Sequence, residues 1–166
     1  MRLAILGGTG KLAQSFTEQV LHHGYDVTSL IPRDSTPQIK HDNLTTAHGS
    51  WEDESDVRAI LNGCHVAVCM PDIQHTAATV ATFVAAAYAA GVRRVIVVTD
   101  ALEQLAHEAQ LPIAAMLKKT DLDWTVVHAG RAWEKDFIAP LHDVAAFVVR
   151  QISDTAHLSQ TVLVRQ

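Results

Sequence analysis

Four small residues near the N-terminus, Gly7, Gly8, Gly10 and Ala13, have types and a spacing that can bind phosphate. Gly8, Gly10 and Ala13 fit the pattern G-x-G-x-x-G/A, whose first two glycines let backbone N–H groups approach a pyrophosphate at the positive end of a helix. The same letters also read Gly7-x-x-Gly10-x-x-Ala13. Either reading predicts a turn that holds the phosphates of a dinucleotide.

The position of this turn supports that interpretation. Leu3–Leu6 is an apolar run short enough for a buried strand, and a helical pattern opens at Lys11. A strand, a glycine turn and a helix in direct succession are the context that the motif requires, whereas a glycine turn alone also occurs as a plain structural corner. A P-loop is rejected, because Leu12 stands where that motif needs Ser or Thr and Ile5 occupies its first glycine position.

Length and composition narrow the class of protein. The chain has 166 residues, and domains usually run to about 100 to 200 residues, so we expect one domain over residues 1–166. Hydrophobic residues make up 48% of the chain, but no apolar run approaches the roughly 18 residues of a membrane span, so we expect no membrane association. The apolar run that starts at Leu3 leaves no room for a signal peptide, which favours the cytoplasm.

Charge, histidines and cysteines point away from several functions. The net charge of -5 argues against a nucleic-acid surface. The ten histidines show no metal-ligand spacing, so we predict no metal site. Cys64 and Cys69 flank a short apolar run and are expected to pack as small hydrophobic residues rather than to pair.

Strand and helix patterns alternate along the chain. The predicted strands are Leu3–Leu6, Tyr25–Ile31, Asn43–Ala47, His65–Met70, Arg94–Val98, Trp124–Val127 and Thr161–Val164. The predicted helices are Lys11–His23, the segment SWEDESDVRAILNG, Pro71 to Gly91, Ala101 to Gln110 with a continuation to Lys119, and Leu141–Ile152. This alternation predicts an α/β protein with a Rossmann-type doubly wound parallel sheet, in a single compact domain with a short C-terminal helix and strand.

The end of the second strand predicts which dinucleotide binds. There an acidic residue accepts from the ribose 2′-hydroxyl of NAD, whereas an arginine suits the 2′-phosphate of NADP. The strand ends in Pro32, Arg33 and Asp34. The charge and fork geometry of Arg33 favour NADP. Asp34 leaves NAD as the alternative cofactor. The alternative without any ligand is that these three residues form a solvated turn.

Five segments, in this order, resemble the atypical short-chain dehydrogenase/reductases. The resemblance is to the small NAD(P)H-binding group that includes NmrA-like proteins and relatives of biliverdin reductase B and NADH-flavin reductase. It covers nearly the whole chain. The segments are GGTGKLA, VTSLIPR, AAGVRRVIVVTD, TDLDWTVVHAG and LHDVAAFVVRQI.

The resemblance implies a place for each part of a bound dinucleotide. The backbone of Thr9–Leu12 would hold the pyrophosphate, Arg33 the 2′-phosphate, and Met70–Pro71 the two riboses. Residues Thr99–Ala101 and His128–Gly130 would flank the nicotinamide, which agrees with the rule that ligands lie outside the carboxyl ends of parallel strands. The implied cofactor-binding residues are Gly7, Gly8, Thr9, Gly10, Lys11, Leu12, Arg33, Met70, Pro71, Thr99 and Ala129.

The chain departs from the family pattern at several positions. Relatives carry their arginine directly after the second strand, where this chain has Pro32. Ser50 and Trp51 replace an acid that is common after the third strand, and His128-Ala129-Gly130 replaces Arg-Pro-Gly after the sixth. The chain also has no Tyr-x-x-x-Lys, because its only tyrosines are Tyr25 and Tyr88 and neither has a lysine four positions later.

The missing acid pair suggests the reaction class. Without a tyrosine and a lysine, a carbonyl reductase lacks its proton donor. Hydride transfer to a flavin, quinone or tetrapyrrole needs less from the protein, because the cofactor carries the chemistry. We therefore predict an NAD(P)H-dependent oxidoreductase with a small acceptor of this kind.

Asp100 and His128, at the ends of the fifth and sixth strands, are the candidate catalytic residues. A histidine can donate a proton near neutral pH. For Asp100 the favoured alternative is an N-cap of a helix that begins at Ala101. For His128 the alternative, equally open, is a strand-end residue bonded to backbone.

A second hypothesis comes from another class of protein. The missing acid pair and the short segment between the sixth strand and the tail helix fit a sensor or regulatory protein that binds NAD(P) and catalyses nothing. Under either hypothesis we expect a dinucleotide as ligand, with a small-molecule acceptor under the first. A homo-oligomer is compatible with the sequence.

Overall fold

Buried apolar runs form the centre of a parallel sheet. β1 (Arg2–Leu6) is buried from its second residue onward and β4 (Val66–Cys69) along its whole length, as expected for strands that helices cover on both faces. The computed structural model describes residues 1–7, 9–71, 76–100, 113–129 and 138–164, without the side chains of residues 76, 77, 100 and 138–141.

The other elements alternate as the sequence predicts. The strands are β2 (Asp26–Ile31), β3 (Leu44–His48), β5 (Arg94–Asp100), β6 (Asp123–Ala129) and β7 (Gln160–Val164). The helices of the described ranges are α1 (Lys11–His22), α2 (Glu54–Leu61), α3 (Thr76–Ala89) and α4 (Ile138–Gln151), with a further helical segment at residues 113–117.

The strand order identifies the fold. The seven strands follow the order β3-β2-β1-β4-β5-β6-β7, and every neighbouring pair is parallel. The predicted Rossmann-type doubly wound sheet is therefore confirmed. From β1 the chain builds the sheet in one direction and from β4 in the other, so the switch point lies between these two strands.

Two helical layers cover the sheet. Alternate side chains of β1 enter opposite layers, since successive residues of a strand point to opposite faces. Leu3 and Ile5 pack with residues of α1 and α4, whereas Ala4 and Leu6 pack with residues of α2 and α3. Helices thus cover both faces of the sheet.

β5 and β6 are longer than their apolar runs predict. The sequence predicts that Thr99, Asp100, His128 and Ala129 follow their strands. Instead they lie within them, in the pairs Thr99 with His128 and Asp100 with Ala129. The prediction was wrong because a strand ladder is formed by backbone groups and continues past the last apolar residue where polar side chains satisfy one another.

Some predictions fall outside the described residues. These are the structure at Gly8, the first residues of the third predicted helix at 72–75, the helix from Ala101 to Gln110, and Gly130. The side chain of Asp100 is also outside them, so its predicted catalytic and capping roles both stay predictions.

A buried arginine joins α4 to the sheet. Arg94 is 8% exposed, and its Nη2 donates to the carbonyl oxygen of Gln151 at the end of α4 and to Thr125 Oγ1, both at 2.8 Å. Thr125 Oγ1 in turn donates to the carbonyl of His157 at 2.8 Å. This network joins β5 and β6 to the end of α4 and to the segment that follows it.

The cysteines pack as predicted. Cys64 and Cys69 are both free thiols, and burial raises the pKa of the Cys69 thiol far above its usual range. Within the described ranges, no group of three His, Cys, Asp or Glu side chains could hold a metal ion. No helix in the described part of the chain has both the length and the apolar character needed to cross a membrane.

Candidate dinucleotide site

The glycine turn lies at the switch point of the sheet. β1 ends at Leu6, and Gly7 follows with a φ of +95°. A Cβ atom at Gly7 would overlap the carbonyl oxygen of Met70, which follows the neighbouring strand β4. Met70 is held there because its N–H donates to the carbonyl of Leu6 at 2.8 Å. Only glycine fits both the conformation and the space, which favours the Gly7-x-x-Gly10-x-x-Ala13 reading.

The start of α1 is open to a ligand. Gly10 is the N-cap, with φ -74° and ψ 159°, no side chain caps the helix, and its first turn carries no acid. The N–H groups of residues 11–13 precede the first helical hydrogen bond, from Gln14 N–H to the Gly10 carbonyl at 2.9 Å. A Cβ on Gly10 would meet nothing within 4 Å. N–H groups that no helical carbonyl accepts from, a helix dipole and the free space at Gly10 together fit an anion.

α2 shows the contrasting arrangement. Its N-cap, Asp53, accepts from the N–H groups of Ser55 at 2.8 Å and Asp56 at 3.4 Å. The Ser55 hydroxyl and these backbone N–H groups lower the pKa of Asp53. The carboxylate of the protein itself thus occupies the start of α2, whereas no side chain of the described residues caps the start of α1.

An open groove, here called the Trp51 groove, lies beside the ends of β2 and β3 and has a volume of about 320 Å³. It is lined by Pro32, Arg33, Gly49, Ser50, Trp51, Glu52 and Thr79. Trp51 Nε1 and Thr79 Oγ1 are buried and have no hydrogen-bond partner among the described residues, and Thr79 is only 1% exposed. Buried polar groups without partners are costly, so these two atoms fit a site completed by a ligand.

Arg33 stands at the edge of the Trp51 groove and already has a partner. Its Nη2 donates to Asp56 Oδ2 at 3.1 Å, with the Arg33 side chain 71% exposed and the Asp56 side chain 24% exposed. Asp56 Oδ2 also accepts from the N–H of Ser50 at 2.9 Å. The cation predicted to read a 2′-phosphate is therefore present, but it is paired with a carboxylate.

A threonine and a histidine face each other across β5 and β6. Thr99 Oγ1 and His128 Nδ1 lie 2.6 Å apart, and the two residues are register partners. Burial lowers the pKa of His128 below its ordinary value of 6.5. The imidazole is accordingly neutral at physiological pH, and it carries its proton on Nε2 when the Thr99 hydroxyl donates to Nδ1.

The lowered pKa of His128 predicts a pH effect on stability. The unfolded chain binds this proton more readily than the folded chain, so His128 costs stability as the pH falls below 6.5. We expect a His128→Asn variant to lose less unfolding free energy than the wild type when the pH is lowered from about 7 to about 5. Denaturant titrations across that pH range measure the unfolding free energy, and His23→Asn, at an exposed histidine, is the control. Equal pH slopes for His128→Asn and the wild type would contradict the lowered pKa of the half-buried His128 ring.

The predicted site residues form a row along the carboxyl edge of the sheet. Arg33 follows β2, Gly7 follows β1, Met70 follows β4, and Thr99 and His128 lie near the ends of β5 and β6. From β2 to β6 the row crosses four strand spacings, or about 19 Å at ~4.8 Å each. An extended dinucleotide binds across such an edge.

Sequence reasoning missed three contributors, namely Trp51 and Thr79 in the groove and Asp56 at Arg33. Trp51 stands out in the sequence where relatives have an acid, which is the one signal that was available. Whether an indole N–H or a threonine hydroxyl is left without a partner depends on the packing around it, which the sequence does not display.

The sheet, its switch point and the open start of α1 define a Rossmann-type nucleotide-binding protein. A family model described as NAD(P)H-binding matches residues 7–139, well over half of the chain. The protein belongs to this NAD(P)H-binding family. The membership bears out the resemblance to the atypical short-chain dehydrogenase/reductases.

Solved structures share the fold. A Rossmann-fold NAD(P)-binding family protein from Shigella flexneri is 16% identical, with 99% of this chain and 93% of that chain covered and a TM-score of 0.83. A short-chain dehydrogenase/reductase from Veillonella parvula, solved in complex with NADP, is 17% identical, with coverages of 99% and 94% and a TM-score of 0.80. A nucleoside-diphosphate-sugar epimerase from Staphylococcus aureus is 18% identical, with coverages of 99% and 71% and a TM-score of 0.79. A sequence search of curated proteins finds no match.

Proposed function

We propose that the protein is an NAD(P)H-dependent reductase that prefers NADP(H) and transfers a hydride to a small conjugated acceptor such as a flavin, quinone or tetrapyrrole. The observation that carries this proposal is the uncapped start of α1 at Gly10, placed at the switch point of the sheet. It lies on the same edge as Thr99 and His128. A phosphate site and a polar pair are thus arranged along one dinucleotide-length row.

The adenosine half of the cofactor fits the Trp51 groove. Its volume of about 320 Å³ falls in the range of small-molecule sites. Adenine offers ring nitrogens as acceptors and an amino group as donor, which suits the unpartnered Trp51 Nε1 and Thr79 Oγ1. Arg33 at the edge of the groove would bind the 2′-phosphate of NADP. The pyrophosphate would then lie on the backbone N–H groups of Thr9–Leu12.

The nicotinamide half fits the edge of β4, β5 and β6. Met70 and Pro71 would carry the ribose, and Thr99, His128 and Ala129 would flank the ring. The bound reduced nicotinamide supplies the hydride. His128 Nε2 would donate a hydrogen bond to the acceptor while the Thr99 hydroxyl fixes the tautomer, with water supplying the proton that balances the reduction. Asp100, next to Thr99 in β5, keeps its predicted catalytic role as part of this proposal.

An NAD(P)-binding sensor without catalysis is the second candidate. The observation that favours it is that the sequence lacks Tyr-x-x-x-Lys, the usual proton donor of a carbonyl reductase. Near the ends of β5 and β6, the described residues include His128, whose ring is neutral because burial lowers its pKa. A binding protein needs no proton donor. The cytoplasm remains the predicted location, which the free thiols Cys64 and Cys69 fit.

A turnover assay separates the two candidates. NADPH oxidation is followed with FMN, FAD, a quinone and a linear tetrapyrrole as acceptors, for the wild type and for His128→Ala. We expect turnover with at least one acceptor and a loss of about 10-fold or more in kcat for the variant, with the Kd for NADPH little changed. Tight NADPH binding without turnover across the panel would reject the reductase in favour of the sensor.

A further inference from the structure

Asp56 holds Arg33 in an ion pair at the mouth of the Trp51 groove. The single contact from Arg33 Nη2 to Asp56 Oδ2 measures 3.1 Å. Arginine has five N–H donors, so one such contact uses a single donor and leaves the others available. Asp56 is therefore the ion-pair partner that Arg33 has before a ligand arrives.

Of the two partners, Asp56 is the fixed one. Its Oδ2 accepts from the N–H of Ser50 at 2.9 Å, and it lies in the first turn of α2, where the helix dipole favours a negative charge. Gly49 leaves the room for this contact, because a Cβ there would come within 2.7 Å of Asp56 Oδ2. Arg33, with 71% of its side chain exposed, is the partner free to move.

We infer that Asp56 sets the coenzyme preference by limiting how strongly Arg33 binds a 2′-phosphate. The inference rests on the role that the proposed function gives to Arg33. A 2′-phosphate that binds Arg33 has to compete with the Asp56 carboxylate for the guanidinium group. The phosphate is also repelled by the negative charge of Asp56, which the Ser50 N–H and the helix dipole hold in place. A ribose 2′-hydroxyl carries no charge and meets neither penalty. Asp56 thereby allows NAD to be used alongside NADP.

Calorimetric titration of NADPH and NADH tests the inference with a matched pair of variants. Asp56→Asn removes the charge but keeps an oxygen for the Ser50 N–H. Glu54→Gln makes the same charge change two residues earlier on the same exposed helix end. We expect Asp56→Asn to lower the Kd for NADPH by about 3- to 5-fold and to leave the Kd for NADH within about 2-fold. Glu54→Gln is expected to change neither.

The same substitution in an Arg33→Gln background shows whether the effect passes through Arg33. There we expect Asp56→Asn to change the Kd for NADPH by less than about 2-fold. An unchanged ratio of the two Kd values in Asp56→Asn, or an equal gain in the Arg33→Gln background, would overturn the inference while leaving dinucleotide binding intact. Failure of the wild type to bind either nucleotide would overturn the proposed function, and the inference with it.

Discussion

Replacing Gly10 with aspartate is expected to abolish dinucleotide binding while leaving the fold intact. Gly10 has the extended N-cap conformation, with φ -74° and ψ 159°, which aspartate adopts readily. Its Cβ would enter open space. The new carboxylate would accept from the N–H groups at the start of α1, as Asp53 does at the start of α2. It would therefore occupy the donors that a pyrophosphate needs and repel its charge.

The expected loss is a Kd for NADPH raised by about 100-fold or more, since two hydrogen bonds to a charged group at ~1.5 to 3 kcal/mol each are forfeited. Thermal unfolding should show a Tm equal to or above that of the wild type, because aspartate caps a helix slightly better than glycine. Gly10→Ala, which adds the Cβ without the charge, is the matched control and should bind far better than Gly10→Asp. Undiminished NADPH binding by Gly10→Asp would remove the start of α1 as the phosphate site.

Replacing Gly7 with alanine is expected to destabilise the protein by about 4 kcal/mol. Two costs add at this position. A non-glycine residue held at a φ of +95° costs of order 1 to 3 kcal/mol. The added Cβ would also overlap the Met70 carbonyl, and forcing the two central strands apart costs roughly another 1 to 3 kcal/mol. Denaturant unfolding measures the sum.

Two other glycines isolate the overlap from the backbone conformation. Gly24 and Gly91 have φ values of +77° and +72°, and a Cβ at either would meet nothing within 4 Å. Gly24→Ala and Gly91→Ala should each cost only about 1 kcal/mol. If Gly7→Ala were no more destabilising than these, the close approach of Gly7 and Met70 would not hold in solution.

The fold was predictable because its signals are local. β4 reads as an unbroken apolar run, and α1 repeats Leu12, Phe16 and Val20 at helical spacing. The β4 strand and these three side chains are all buried. The carboxyl ends of the strands were less predictable. The sequence predicts that Thr99 and His128 follow their strands, but the two residues are register partners within β5 and β6, with Thr99 Oγ1 and His128 Nδ1 2.6 Å apart.

The site was predictable only in part. The glycine turn and Arg33 follow directly from their positions after β1 and β2. The competing readings of the turn differ in whether Gly7 or Gly8 comes first. The Gly7 reading is favoured by a backbone angle and by a neighbouring strand far away in sequence, and Gly8 lies outside the described residues. Sequence position likewise indicated a 2′-phosphate contact for Arg33 but no partner within the protein, whereas the folded chain brings Asp56 against it.

By itself, the sequence determined the order of strands and helices, the doubly wound sheet and the glycine turn after β1, because each depends on residues adjacent along the chain. Only the tertiary structure decided that Trp51 and Thr79 bury polar atoms without a partner in the described part of the chain, that Arg33 is paired with Asp56, and that burial lowers the pKa of His128. Burial and charge pairing are set by segments that meet in space. For this reason they are properties of the packed chain and not of any stretch of it.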